Sequence, residues 1–436
     1  MELSILFFLI YIAIVVIIGI VSSRKETEDD FMIAERRVQG IQVAATMSAG
    51  FFDGGTLSIY IAFIYLYGFS AIWLFVGVAL GFLLVRRYAY KIKQKADELK
   101  VYSMPEYFFR ILGKKNGLMF SFFLVSQFFL LLIVNLIISG KVLAAIFPIP
   151  YFLAVLIGSI IILTYLLLAG FKAVVRTDFF QMIIMFVMSL SVALFLFGKT
   201  NIPITEFNLG TLGIGNIIGF LILAGFGIMV APDLWQRIFA TKDEKNLKRG
   251  LAYSALILLI LGIVISVIGL ATKQFFPNIV PEDALVTGFS HLLPFGLKEL
   301  GMVLLYAVAL SSSDTVTFVV SSIFTRDLKN YSAKYTDESM KKLTRFFMVV
   351  FILLGALVAI FYQNILALGF SLASLNLALF PVVFGSLYWK LKQRAVFWSL
   401  VLGFASIVVL FAFNQLNPQN AVISLPIVLF SLIIFQ

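Results

Sequence analysis

Ala49-Gly50-Phe51-Phe52-Asp53-Gly54-Gly55-Thr56 stands in the middle of an apolar run, residues 40–66, that is long enough to cross a bilayer. An acid beside paired glycines makes poor continuous helix, because each glycine costs about 1 kcal/mol relative to alanine. The helix is therefore expected to break at its centre. A second interruption lies in the run 214–238, where Gly225 and Gly227 precede Ala231-Pro232-Asp233. The two disrupted runs are five apart in the series. Discontinuous helices at matched positions of two halves are the sequence sign of an inverted-repeat secondary transporter, whose unwound carbonyls coordinate ions. One glycine-rich run alone would carry little, since glycine is frequent in membrane helices.

The composition around these breaks sets the class. The chain is 61% hydrophobic and only 13% charged, with a mean hydropathy of +1.05. A soluble protein of 436 residues cannot hide that much apolar surface, so a polytopic membrane protein is expected. Apolar runs lie near residues 2–22, 40–66, 68–90, 118–146, 151–169, 171–197, 214–238, 249–272, 293–325, 343–363, 365–389, 395–413 and 420–436, about thirteen spans by length. Residues 1–22 begin with Glu2 in place of a basic start, and Ser22-Ser23-Arg24-Lys25 makes no convincing cleavage site. A retained first helix is expected there. With no cysteine in the chain, disulfides and thiolate metal sites are excluded.

Charge placement predicts orientation. If the amino end lies outside, all of the 33 lysines and arginines except Lys141, Lys199, Lys273 and Lys298 fall at inner ends, as the positive-inside rule requires. The loops 91–117 and 326–345 are then cytoplasmic, and 198–213 is extracytoplasmic. The net charge of +11 is accounted for by orientation and lipid headgroups, with no need for nucleic acid. Lys141 lies about five residues inside its span, and snorkelling to the interface is its expected behaviour.

Between Tyr306 and Leu328 the chain reads YAVALSSSDTVTFVVSSIFTRDL, a long apolar helix carrying hydroxyls and one carboxylate. At about 100° per residue, Ser311, Ser312, Asp314 and Thr315 share a face of roughly 160°, whereas Ser313 points away. Oxygen ligands on one face suit a hard cation such as sodium. Close helix packing explains Ser321 and Ser322 equally well, but it does not explain an acid at membrane depth. Asp178, in Val175-Arg176-Thr177-Asp178-Phe179-Phe180-Gln181, reads either as an acid near a helix start or as a further ion ligand.

These segments resemble the sodium:solute symporter family, which includes proline, sugar and sialic acid symporters. Ser48-Ala49-Gly50 through Asp53 is similar to the first core helix of the proline symporters. Tyr102-Ser103-Met104-Pro105-Glu106-Tyr107 is similar to an inner-loop Pro-Glu motif. Gly170 through Gln181 resembles the Gly-x-x-Ala-Val-x-x-Thr-Asp-x-x-Gln signature. Pro232 through Lys242 resembles the Gln-Arg stretch that ends the sixth core helix, and Ser311 through Leu328 resembles the eighth. The resemblance covers nearly the whole chain. It implies an all-α polytopic membrane protein with a five-plus-five inverted-repeat (LeuT-like) core and discontinuous first and sixth core helices. The corresponding division is a first helix and cytoplasmic loop (1–39), a first repeat (40–197), a second repeat (198–392) and two peripheral C-terminal helices (393–436).

Carried over to this chain, the resemblance implies a main sodium site made by the backbone carbonyls of Phe51, Gly54 and Val308 and the hydroxyls of Ser311 and Ser312, with Asp53 beside or in it. It implies a second site for sodium or a proton at Asp178, Ser311, Asp314 and Thr315. Asp314 departs from the family, whose members with that site have serine there. Two acids in one small site repel, so one is expected to hold a proton or to share a cation. Thr56, Ser58, Gln127 and Asn135 are candidate solute contacts, and each is equally a candidate interhelical hydrogen-bond partner. Ala231-Pro232-Asp233 replaces the Asn-Gln-Tyr of sugar carriers, and the run 249–272 has no lysine. Both features weigh against a hexose. The function expected is a sodium-coupled symporter importing a small organic solute by alternating access, acting as a monomer in the cell membrane. The alternatives are proton coupling, or a membrane sensor on the same fold, a reading that the absence of any signalling module before Gln436 disfavours. An enzyme is not expected, since the lone His291 has no nucleophile or metal cluster near it in the sequence.

Overall fold

In the computed structural model the described residues are 2–22, 43–44, 47–48, 50–51, 53–101, 103–331 and 337–436. Among them the chain is helical, with no β-strand. The helices are α1 (Glu2–Ser22), α2 (Gly54–Tyr67), α3 (Trp73–Leu99), α4 (Met104–Ile146), α5 (Tyr151–Lys199), α6 (Ile214–Gly227) and α7 (Pro232–Ala240). They continue as α8 (Glu244–Phe275), α9 (Ala284–His291), α10 (Leu297–Tyr331), α11 (Asp337–Phe361), α12 (Ile365–Tyr388), α13 (Gln393–Ala412) and α14 (Ser424–Phe435). Seven helical stretches among the described residues are long and apolar enough to cross a membrane, or eight when the bent pair 214–230 and 232–240 counts as one.

Helix α4 packs along α10 at the centre, with α5 and α11 against both and α12 against α4. Helix α3 packs between α6 and α8, while α2 touches α4, α8, α10 and α12. The two last helices pair with each other at the edge. Both expected interruptions are present. Helix α2 starts only at Gly54, behind Asp53 in an extended conformation (φ −88°, ψ 161°). Helix α6 ends at Gly227, a short 3-10 turn follows, and the direction changes by 48° before α7. Proline heads α7 because its missing N–H costs nothing at a helix start.

Two expectations need correction. The runs 151–169 and 171–197 form one uninterrupted helix, α5. Gly170 is the break expected there, but with no proline beside it a single glycine costs only about 1 kcal/mol. The segment 91–117 is not a loop: α3 reaches Leu99 and α4 begins at Met104. Its charges keep it out of hydrocarbon without preventing helix. The real break falls at Gly113, whose φ of 77° and ψ of 172° no other residue adopts readily. Lys141, finally, has an ion-pair partner that the sequence did not show. Its Nζ lies 2.5 Å from Asp283 Oδ1, in the turn before α9.

Candidate ion and solute site

The start of α2 is a tightly specified N-terminus. Asp53 accepts from the Thr56 N–H at 3.0 Å through Oδ1 and from the Thr56 hydroxyl at 2.6 Å through Oδ2. Both carboxylate oxygens thus bind donors of the first turn, where the helix dipole favours negative charge. The next amide, Gly55 N–H, donates across to Asn135 Oδ1 of α4 at 3.0 Å. Asn135 in turn donates to its own helix at Leu131 O, 3.0 Å away. Gly55 admits that side chain: a methyl there would lie 3.2 Å from Asn135 Nδ2 and 2.9 Å from Asp53 Oδ1.

Gly54 faces α10. A methyl on it would meet Ala309 Cα at 3.0 Å, N at 3.1 Å and Cβ at 3.2 Å. The backbone of the first break therefore lies directly on the residue after Val308. On α10, Ser312 donates to Val308 O at 2.9 Å, so two of the expected ligand oxygens are already neighbours. Ser313 likewise donates to Ala309 O at 2.6 Å. Ser311 and Asp314 are buried, and Thr315 Oγ1 lies 3.5 Å from Asp314 Oδ1. The side chain of Asp178 lies outside the described residues, as does Phe52. Phe51 is described: its N–H donates to Ser48 O at 3.2 Å, and its ring meets Phe82 of α3 at a centroid distance of 5.5 Å.

The solute candidates divide. Thr56 and Asn135 are engaged in holding the α2 terminus. Ser58 is buried further along the same helix. Gln127 of α4 donates to Asn376 of α12, and Gln127 Oε1 is buried with no hydrogen-bond partner among the described residues. Asn376 lies beside the second break, with its Cβ 3.8 Å from where a methyl on Gly227 would stand. Sequence reading missed Asn376, since one amide in an apolar helix has no local signature. It also missed the ion pair Arg237 Nη1–Asp233 Oδ2 at 2.5 Å in α7. That pair rests on Gly50, where a methyl would lie 2.5 Å from Asp233 Oδ2. The two breaks thus face each other.

Two broken helices meet beside a hydroxyl-bearing helix, and comparison with known proteins assigns the lineage. The sodium:solute symporter family profile matches residues 31–207 and 211–403. The chain belongs to the sodium:solute symporter family. It is 25% identical to an osmoregulated proline transporter of Bacillus subtilis (strain 168), over 92% of this chain and 87% of that one. It is 24% identical to a sodium/pantothenate symporter of Haemophilus influenzae (strain ATCC 51907 / DSM 11121 / KW20 / Rd), over 94% and 92%. In structure it is similar to a substrate-bound, outward-open Na+-coupled sialic acid symporter, with a TM-score of 0.78 at 18% identity, covering 99% of this chain and 97% of the other. A closed nucleobase-cation-symport-1 family transporter aligns with a TM-score of 0.57 at 12% identity over 94% of each chain. The family member is an integral, multi-pass membrane protein and a sodium-coupled solute transporter.

Proposed function

We propose that this symporter imports a small carboxylate-bearing solute with sodium by alternating access, with the ion held between the start of α2 and the Val308–Ser312 turn of α10. The observation that supports the ion assignment is the close approach of Gly54 to Ala309, the residue after Val308, whose carbonyl the Ser312 hydroxyl reaches. Phe51, Gly54, Val308, Ser311 and Ser312 supply the oxygens. Asp53 acts from the neighbouring cap, contributing negative charge without having to be a direct ligand. Oxygen-only, neutral-rich surroundings fit a hard monovalent cation.

The solute reading rests on the chemistry of the second break. The Asp53 carboxylate caps the α2 terminus, whereas α7 opens at Ala231 with no side-chain cap and its first-turn carboxylate, Asp233, is paired with Arg237. Half-helix N-termini are where carriers of this kind receive anionic groups. Proline and pantothenate, named for the two bacterial relatives, both carry a carboxylate. Gln127 and Asn376 lie within reach of that break as neutral hydrogen-bonding groups, and Ser58 lines α2. Asp178, Ser311, Asp314 and Thr315 form a second cation or proton site. The remaining parts of the reading are the five-plus-five repeats at 40–197 and 198–392, action as a monomer, and an amino end outside the cell. Uptake of labelled amino and hydroxy acids into proteoliposomes, with and without a sodium gradient, tests it. Uptake of none of the panel, or uptake indifferent to sodium, overturns it.

A further inference from the structure

The helix ends that carry most of the basic residues enclose a cavity of about 550 Å3, away from the ion site, between the last turns of α3, the first turns of α4 and the chain following α12. Its charged lining is Lys91, Lys95 and Lys390 against the single acid Glu98. Lys95 pairs with Glu98 at 3.0 Å on the exposed side of α3, which leaves two cations for a ligand. Lys91 lies along the wall, with Nζ 2.7 Å from Leu387 O and 4.2 Å from the centre of the Tyr388 ring. Lys390 is exposed at the mouth. The opposite wall is apolar, from Ile111, Leu112 and Leu391, and Trp389 borders it with 56% of its surface exposed.

The depth of this cavity in a bilayer follows from α3. Lys91 stands 18 residues after Trp73, the first residue of α3, which is about 27 Å at 1.5 Å per residue. That is close to the roughly 30 Å of a hydrocarbon core, so the cavity sits at headgroup level, where tryptophan and tyrosine gather. From Lys91 the same face of α3 runs inward through Arg87, Leu84 and Leu80, spacings of four, seven and eleven that keep one helical side. Leu80 is 52% exposed, so the face changes from basic to apolar as it enters the membrane. Capping of the α12 carboxyl end explains the contact of Lys91 with Leu387 O, but not a three-walled opening flanked by two more lysines.

We propose that this cavity binds the phosphate of an anionic phospholipid, with Lys91 and Lys390 supplying the charge and the Leu84–Leu80 face receiving an acyl chain. Phosphate held by paired lysines beside apolar surface is the chemistry by which basic pockets between membrane helices retain anionic lipid. A free phosphoanion shares the headgroup chemistry but has no use for the apolar track.

The purified full chain in neutral detergent is titrated with short-chain phosphatidylglycerol, short-chain phosphatidylcholine and glycerol 3-phosphate, and binding is read by native mass spectrometry and by thermal stabilisation. Phosphatidylglycerol is expected to bind saturably, more weakly as salt rises, and to be lost roughly 30-fold in Lys91→Gln/Lys390→Gln. Lys390→Glu, at an exposed position, provides the same reading should the double variant fold poorly. Equal binding of phosphatidylcholine, competition by glycerol 3-phosphate as strong as that of the lipid, or unchanged affinity in Lys390→Glu would each overturn the assignment.

Discussion

Replacing Gly54 with alanine tests the proposed ion site at its tightest point. The added methyl meets Ala309 Cα, N and Cβ at 3.0, 3.1 and 3.2 Å, two of these being backbone atoms that no rotamer change can move. Ordinary carbon contacts begin near 3.4 Å, so α2 and α10 must part by several tenths of an ångström. Overpacking of this kind costs about 1–3 kcal/mol. A cation bridging the two backbones draws them together, and without it the strain can relax. Most of the cost therefore appears in the ion-bound state. A loss of about 1–2 kcal/mol corresponds to a 5–30-fold rise in the half-saturating sodium concentration. Initial uptake rates against sodium measure this, and sodium-dependent thermal stabilisation in detergent measures it without any solute. Gly198→Ala is the control, since a methyl there meets nothing within 4 Å. A folded Gly54→Ala protein with native sodium dependence in both measurements would refute the site.

Asp53→Ala and Ser312→Ala are each expected to raise the half-saturating sodium concentration while leaving the protein folded, and native values in both variants would remove the α2–α10 site. Asn135→Leu strands the Gly55 N–H, at a cost of about 1–3 kcal/mol, so the melting temperature in detergent should fall; an unchanged value would show that the contact contributes nothing. Transport should depend on pH in a way that Asp314→Ser abolishes, because serine removes one of two acids expected to share a site; persistence of the profile in the variant contradicts that pairing. Single cysteines on this cysteine-free chain report orientation: Thr205→Cys should label from outside and Lys390→Cys only from inside, and the reverse pattern inverts the topology.

What the sequence revealed about this fold is what local chemistry dictates. The breaks at Asp53-Gly54 and Ala231-Pro232 were legible because paired glycines weaken a helix and proline removes a hydrogen bond to the residues before it. The hydroxyl face of α10 was legible because its spacing is set by helical geometry. Gly113 was not, since a lone glycine acts as a break only when tertiary contacts require a positive φ, and here Gln393 Nε2 stands where its methyl would go. Lys141–Asp283, Asn135–Gly55 and Gln127–Asn376 join residues far apart in the chain. No periodicity encodes such pairings, so of the two roles open to Asn135 in the sequence, solute contact or interhelical partner, only the fold shows its bond to the α2 terminus.

Gly50 has a mechanical consequence. The Asp233–Arg237 ion pair of the second broken helix lies flat on the backbone of the first, at a point with no side chain. A residue with even one methyl would project into the pair and act as a detent, so that any displacement of one helix past the other would first have to lift over it. Bare backbone instead offers a bearing surface. A shift of one helix along the other would then leave the hydrogen bond of the charged pair intact.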